Sequence, residues 1–266
     1  MSKIAIIAGE GRLAPAIAEH LPDAPVFALE GFPPPIPAST FRLERLVPFL
    51  DHLADLGVEN VVFAGAVRRP ALDPASFDPR TAQLVPRILT AMQSGDDAAL
   101  RTVLDIFEEF GISVSGIDEI MPSLIPPEGI VSGDPSAADQ TDAARGAEIV
   151  AALGPLDLGQ GCVVAQGLCL AVETLPGTAA MLDFVARHQG LRPNPNGALG
   201  VFYKAPKPDQ DRRIDLPTIG PDTVDQVVAA GLAGIAWQAG SVILLDRDET
   251  ARRARDAGVF LWSRSG

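Results

Sequence analysis

The first twenty residues constrain the fold more than any other stretch. Lys3 to Ala8 is a short apolar run, Gly9-Glu10-Gly11 follows at once, and LAPAIAEHL continues with the apolar spacing of a helix. Strand, glycine-rich turn, helix is the opening unit of a nucleotide-binding α/β sheet. A G-x-G turn lets backbone N–H groups approach a phosphate or ribose, and the helix N-terminus adds a favourable dipole. The dinucleotide fingerprint is incomplete, because Ala14 stands where its third glycine falls. Leu46 to Leu56 reads as an amphipathic helix ended by Gly57, and VENVVFA at 58–64 as a parallel strand with Gly65 at its carboxyl end. Ligands of open α/β sheets sit off the carboxyl ends of strands, so Gly9–Gly11 and Gly65–Arg68 are expected to line one crevice.

Composition narrows the class. The 266 residues are 47% hydrophobic and 21% charged, which is globular, and at 5% aromatic the core has to come from Ala, Val, Ile and Leu. A net charge of -13 repels nucleic acid and anionic headgroups, so no nucleic-acid partner is expected. Cys162 and Cys169 are too few for a disulfide scaffold and lack zinc spacing; both read as small core residues. No run of about 18 apolar residues occurs and the N-terminus turns to Gly and charge too soon for a signal peptide, which predicts a cytoplasmic protein.

Further along, Ser94-Gly95-Asp96-Asp97 precedes an amphipathic helix closed by Gly111; Ser94 or an aspartate suits its N-cap, and the paired acid is more than capping needs. Gly133-Asp134-Pro135 reads as a linker, which divides the chain into 1–132 and 133–266. In the second part, Ala138 to Leu153 is a helix, and two apolar runs around Gly167 suggest a hairpin. Glu173 then stands where packing wants no charge, with Thr178 as the expected cap of the next helix. The densest polar stretch is KAPKPDQDRRIDLPTIG at 204–220, whose three prolines forbid a continuous helix. Run extended, it points Asp211, Arg213 and Asp215 to one face, two carboxylates flanking a guanidinium, which suits a divalent cation and a phosphate together. The following TIGPDT reads as the entry to a buried helix.

The ordered set GEGRLAP at 9–15, FAGAV at 63–67, SGDDAAL at 94–100, VETLPGT at 172–178 and QDRRIDLPTIGPDTV at 210–224 resembles the UDP-2,3-diacylglucosamine pyrophosphatase family of the lipid A pathway, in the version without a calcineurin-like metallophosphoesterase fold. The resemblance runs the full length of the chain and is most specific in the last motif. It implies two α/β domains, a Rossmann-like nucleotide-sugar-binding domain at 1–132 and a catalytic domain at 133–266, with the substrate site between them. It also implies hydrolysis to UMP and 2,3-diacylglucosamine 1-phosphate with Mg or Mn. On that reading Asp215 is the critical acid, by metal ligation or by positioning water, with Asp211 and Glu173 as helpers and fellow metal ligands. Arg213 and Lys204 hold phosphate oxygens, and Gln166, Thr178 and Gln210 offer polar contacts. The turns at Gly9, Gly11, Gly65, Ala66, Val67 and Asp97 complete the pocket. Membrane contact would be peripheral, through the lipid substrate, and a homodimer is the expected assembly. Two competitors remain: an oxidoreductase using a nucleotide cofactor, resting on the first strand and G-x-G alone, and a non-catalytic sugar-nucleotide-binding protein in which the charged residues only clasp a ligand.

Overall fold

A computed structural model describes residues 3–68, 70–93, 95–208 and 210–265, and of Asp96, Asp97 and Leu191 the backbone alone. The chain divides into two compact units, one formed by residues 1–122 with Asp211–Asp215 and the other by 123–210 with 216–266.

The first unit contains β1 (Lys3–Ala8), α1 (Leu13–His20), β2 (Val26–Leu29), β3 (Ser39–Phe41), α2 (Leu46–Asp55), β4 (Val58–Ala64), α3 (Val85–Gln93), α4 (Asp96–Glu109), β5 (Ser113–Ser115) and the short α5 (Ile117–Ile120). Its strands form one parallel sheet in the order β3-β2-β1-β4-β5, the doubly wound arrangement that the opening residues predict. Alternation along β1 sends Ala5 and Ile7 into a core with Phe49, Leu50 and Leu53 of α2 and Leu104 and Phe107 of α4. Ile6 and Ala8, fully buried, point to the other face, where α1 packs. Phe41 stacks on Phe49 with ring centroids 3.9 Å apart, so a core poor in aromatics concentrates them at one corner. Gly95 is the N-cap of α4; Ser94 lies outside the described residues, as does the side chain of Asp97.

The second unit contains β6 (Gly129–Ser132), α6 (Ala137–Leu153), β7 (Gly161–Ala165), β8 (Leu168–Val172), α7 (Gly177–Arg187), β9 (Val201–Lys204), β10 (Thr218–Ile219), α8 (Pro221–Ala229), β11 (Gly234–Gln238), β12 (Ile243–Leu244), α9 (Arg247–Ala257) and β13 (Phe260–Arg264). A six-stranded mixed sheet runs β6-β13-β11-β9-β7-β8, parallel through β13, β11 and β9 and antiparallel at both sides, and β10 pairs with β12. Phe202, Ile235 and Trp237 pack under α7, α8 and α9, while their neighbours Val201, Tyr203 and Ala236 pack under α6. Helix α6 opens on a capping box, Ser136 with Asp139, and Gly133-Asp134-Pro135 joins β6 to α6 within this unit. The predicted hairpin is present as β7–β8, turning at Gln166-Gly167, both with positive φ. TIGPDT leads into a helix, α8, that is not buried as expected but amphipathic: Pro221, Val224 and Val227 face the core, while Asp222, Asp225 and Val228 are exposed. No helix among the described residues is long and apolar enough to cross a membrane.

Candidate functional site

The two glycine turns of the first unit meet. Glu10 and Ala66 exchange backbone hydrogen bonds of 2.9 Å in both directions, and Gly9 N–H donates to Ala64 O at 2.9 Å. A Cβ on Gly9 would lie 2.5 Å from Ala66 O, and one on Gly65, whose φ is +110°, 2.7 Å from the Gly9 backbone. Glycine is required at both positions by this close approach. The turns therefore adjoin as expected, but the N–H groups of Gly9, Glu10 and Ala66 already serve the clasp. Gly11, with φ +97°, has no atom within 4 Å of where a Cβ would be. Val67 is exposed, and beside it Arg68 bonds Glu10 at 3.1 Å.

The stretch around Asp215 departs from the extended expectation. Asp211–Asp215 is a turn, closed by Ile214 N–H and Asp215 N–H both donating to Asp211 O at 3.3 Å. Alternation between faces therefore does not apply. Ile214 packs against the core of the first unit and thereby ties the turn to it. Arg213 forks onto its near neighbour, Nε to Asp211 Oδ1 at 3.0 Å and a terminal nitrogen to Oδ2 at 2.7 Å, and its other terminal nitrogen donates to Glu108 Oε1 at 2.6 Å. The guanidinium expected on phosphate is thus held between two carboxylates. Its hydrogen bonds keep the Asp211 carboxyl below the usual carboxylate range, and Asp211 in turn raises Arg213. Glu108 carried no sequence signal, because its partner lies 105 residues away.

In the second unit three predicted residues do come together. Glu173 follows β8, Lys204 ends β9, and Thr178 lies in the first turn of α7. Thr178 does not cap α7, which starts at Gly177 with Pro176 at the N-cap and no side-chain cap bond. Its hydroxyl instead donates to Glu173 Oε1 at 2.8 Å and accepts from Lys204 Nζ at 2.7 Å. Lys204 Nζ stands 3.9 Å from Glu173 Oε2, with the two side chains only 8% and 13% exposed. Oε2 is buried without a hydrogen-bond partner. Gly161 makes the room: a Cβ there would meet Oε2 at 2.9 Å and the Phe202 ring at 2.8 Å, and its carbonyl accepts from Glu173 N–H at 2.8 Å. The result is an ammonium and a carboxylate sunk at strand ends and bridged by one hydroxyl, with one carboxylate oxygen open to a donor.

Gln166 and Gln210 hold the backbone. The Gln166 amide donates to Asn194 O and Ala198 O at 2.8 and 3.1 Å and accepts from Asn194 N–H, fixing the 194–198 loop. Buried Asp142 accepts from the N–H groups of Gln166 and Gly167 and holds the hairpin turn. Gln210, also buried, accepts from Lys207 N–H at 3.0 Å, and Lys207 pairs with Asp157.

A metal cage of Asp211, Asp215 and Glu173 does not fit these surroundings. Glu173 faces the Lys204 ammonium, both oxygens of Asp211 accept from Arg213, and among the described residues no group of three or more His, Cys, Asp or Glu is placed to hold a metal ion.

A parallel 3-2-1-4-5 sheet with clasped glycine turns, followed by a mixed sheet with an ion pair sunk at its strand ends, defines a two-unit α/β protein. Family descriptions match both parts: the LpxI N-terminal domain covers residues 3–124 and the LpxI C-terminal domain 127–262. Over 271 residues, 98% of this chain and 97% of its relative, the sequence is 37% identical to the UDP-2,3-diacylglucosamine pyrophosphatase LpxI of Caulobacter vibrioides. The chain belongs to the LpxI family.

Proposed function

We propose that this chain hydrolyses the diphosphate of UDP-2,3-diacylglucosamine, a step of lipid A biosynthesis. Water adds across the P–O–P anhydride, and the products are UMP and 2,3-diacylglucosamine 1-phosphate. The identity to the Caulobacter pyrophosphatase carries the reading, because it covers 98% of this chain and so spans both units.

The chemistry of the named side chains supports it. Diphosphate cleavage needs charge neutralised on phosphate oxygens and an oriented water. Lys204 supplies a cation held in place by Thr178, and Glu173 fixes that ammonium. Asp215 sits at the end of a turn anchored by the Asp211–Arg213–Glu108 network, and we assign it the water. Arg213 then acts as a positioning residue for that turn. Mg or Mn is part of this reading: brought in with the substrate's diphosphate, such an ion would supply neutralisation of phosphate charge. Contact with a membrane is peripheral, through the lipid part of the substrate.

UMP release from UDP-2,3-diacylglucosamine in detergent micelles tests the proposal, with Mg or Mn present and then with excess chelator, for wild type and Asp215→Ala. Wild-type turnover lost in Asp215→Ala, with circular dichroism unchanged, is the expected result; chelator sensitivity reports the metal separately. Binding of the UDP-sugar with no UMP formed by wild type would instead make the protein a ligand-clasping module.

A further inference from the structure

The turn that carries Asp215 is held at a second place, the corner between β5 and α5. Arg212, the second residue of the turn, donates from a terminal nitrogen to Asp118 Oδ2 at 3.3 Å. Asp118 lies in the first turn of α5, whose N-cap is Gly116. Gly116 makes that placement possible: a Cβ there would run into Asp118 Oδ1 and come within 3.5 Å of Arg213 Cα. Its φ of -74° is ordinary for any residue, so the glycine answers to crowding and not to backbone strain. Three consecutive residues of the turn thus reach three separate parts of the first unit: Arg212 to α5, Arg213 to Glu108 of α4, and Ile214 to the core.

Exposed ion pairs contribute little to stability, and the Arg212 and Asp118 side chains are 46% and 35% exposed. Geometry is a different matter. The backbone of the turn closes on a single carbonyl, Asp211 O, through two hydrogen bonds of 3.3 Å, long enough to make a weak frame for Asp215. A displacement of about 1 Å at a reacting group can cost about a hundredfold in rate, so a contact too weak to matter for folding can still matter for turnover. We propose that Asp118 is a positioning residue for the hydrolysis, acting through Arg212 to hold the turn that ends in Asp215. The inference rests on the hydrolase reading and on the assignment of the water to Asp215, and extends them to a side chain 94 residues upstream of the arginine it holds.

Steady-state UMP release, with kcat and KM resolved, is compared in wild type and three variants. Asp118→Asn keeps the shape of the side chain and removes its charge, whereas Gly116→Ala keeps the charge and pushes the carboxylate aside. Glu148→Gln breaks an exposed pair with Arg145 on α6 and serves as the control. Asp118→Asn and Gly116→Ala should each lose about tenfold in kcat, with KM within about twofold of wild type and the thermal midpoint unchanged. Glu148→Gln should match wild type throughout. Hydrogen exchange at the Ile214 and Asp215 amides, which close the turn, should quicken in both variants while the β1 and β4 amides keep their protection. Wild-type kcat in Asp118→Asn overturns the proposal and leaves the hydrolase reading standing. A rise in KM with kcat unchanged does the same, as does a loss of kcat with unchanged exchange at Ile214 and Asp215. No UMP from folded wild type, or full turnover by Asp215→Ala, overturns instead the reading on which the proposal rests.

Discussion

Replacing Glu173 by glutamine keeps the shape of the side chain and deletes its charge, which makes it a clean probe of the buried pair. Thr178 can still donate to Oε1, so what is lost is the anion 3.9 Å from Lys204 Nζ. Two unit charges at that distance attract by about 4 kcal/mol at an effective dielectric of 20, before desolvation is subtracted. Breaking a buried pair on one side typically costs about 3–5 kcal/mol. Because 3.9 Å is beyond direct hydrogen-bond range and the hydroxyl bridge survives, the lower end applies, and Glu173→Gln should destabilise the second unit by about 3 kcal/mol. Lys204→Met should cost a similar amount, since it leaves Oε2 with neither donor nor cation. The double variant is neutral at the site and should recover about 1–2 kcal/mol of the sum of the single losses. Urea unfolding at pH 7 followed by tryptophan fluorescence measures this cleanly, because both tryptophans, Trp237 and Trp262, lie in the second unit. Additive losses, within about 0.5 kcal/mol, would show that carboxylate and ammonium do not interact and would remove the electrostatic argument for the site.

The first unit answers to other probes. Asp211 has its carboxyl held low by Arg213, so its folded pKa lies below the unfolded value of about 3.9. The stability it contributes is fully present above pH 5 and disappears as pH falls through the folded value. Protection factors of the β1 and β4 amides should therefore fall in acid less steeply in Asp211→Asn than in wild type; equal acid slopes would contradict this. Gly9→Ala forces a Cβ to within 2.5 Å of Ala66 O and should cost about 2–4 kcal/mol through overpacking and loss of the Glu10–Ala66 pair, whereas Gly11→Ala has open space and should cost about 1 kcal/mol for its positive φ. Thermal unfolding that ranks Gly11→Ala as the worse of the two would refute the close-approach argument. Cys162 is buried, with its thiol pushed up by desolvation, and Cys169 is exposed. Native protein should give one thiol per chain to a colorimetric reagent and two in urea; rapid labelling of both in the native state would be inconsistent with the packing of β7.

Local signals in the sequence reached most of the fold. The order of strands and helices follows from period and punctuation: the apolar runs at 3–8 and 58–64 became adjacent parallel strands, and Gly167 became a hairpin turn. The buried charged cluster was legible where chemistry violated packing. Glu173, set against an apolar run, and Lys204, ending one, proved to share a hydroxyl with Thr178. What sequence concealed was long-range partnership. Arg213 looked available for phosphate because nothing local announces Glu108, and the alternation argument for 211–215 failed once Ile214 found a core to enter and the backbone closed a turn to let it. Gln166, a polar contact to substrate on the family resemblance, has a positive φ that commits it to the hairpin turn and an amide that serves the 194–198 loop.

The grouping of Asp211–Asp215 with residues 1–122 also sets an order of events during synthesis. The parallel sheet is complete once β5 has emerged, and α4 can present Glu108, yet the side chains that fill this face, Ile214 against the core and Arg213 against Glu108, arrive only after residues 123–210 have been made. The first unit therefore spends much of translation as an unfinished body with an apolar seat open. A ribosome-released fragment ending at Pro122 would expose what the full chain covers with five residues borrowed from far downstream, and should be the form that chaperones hold and proteases find.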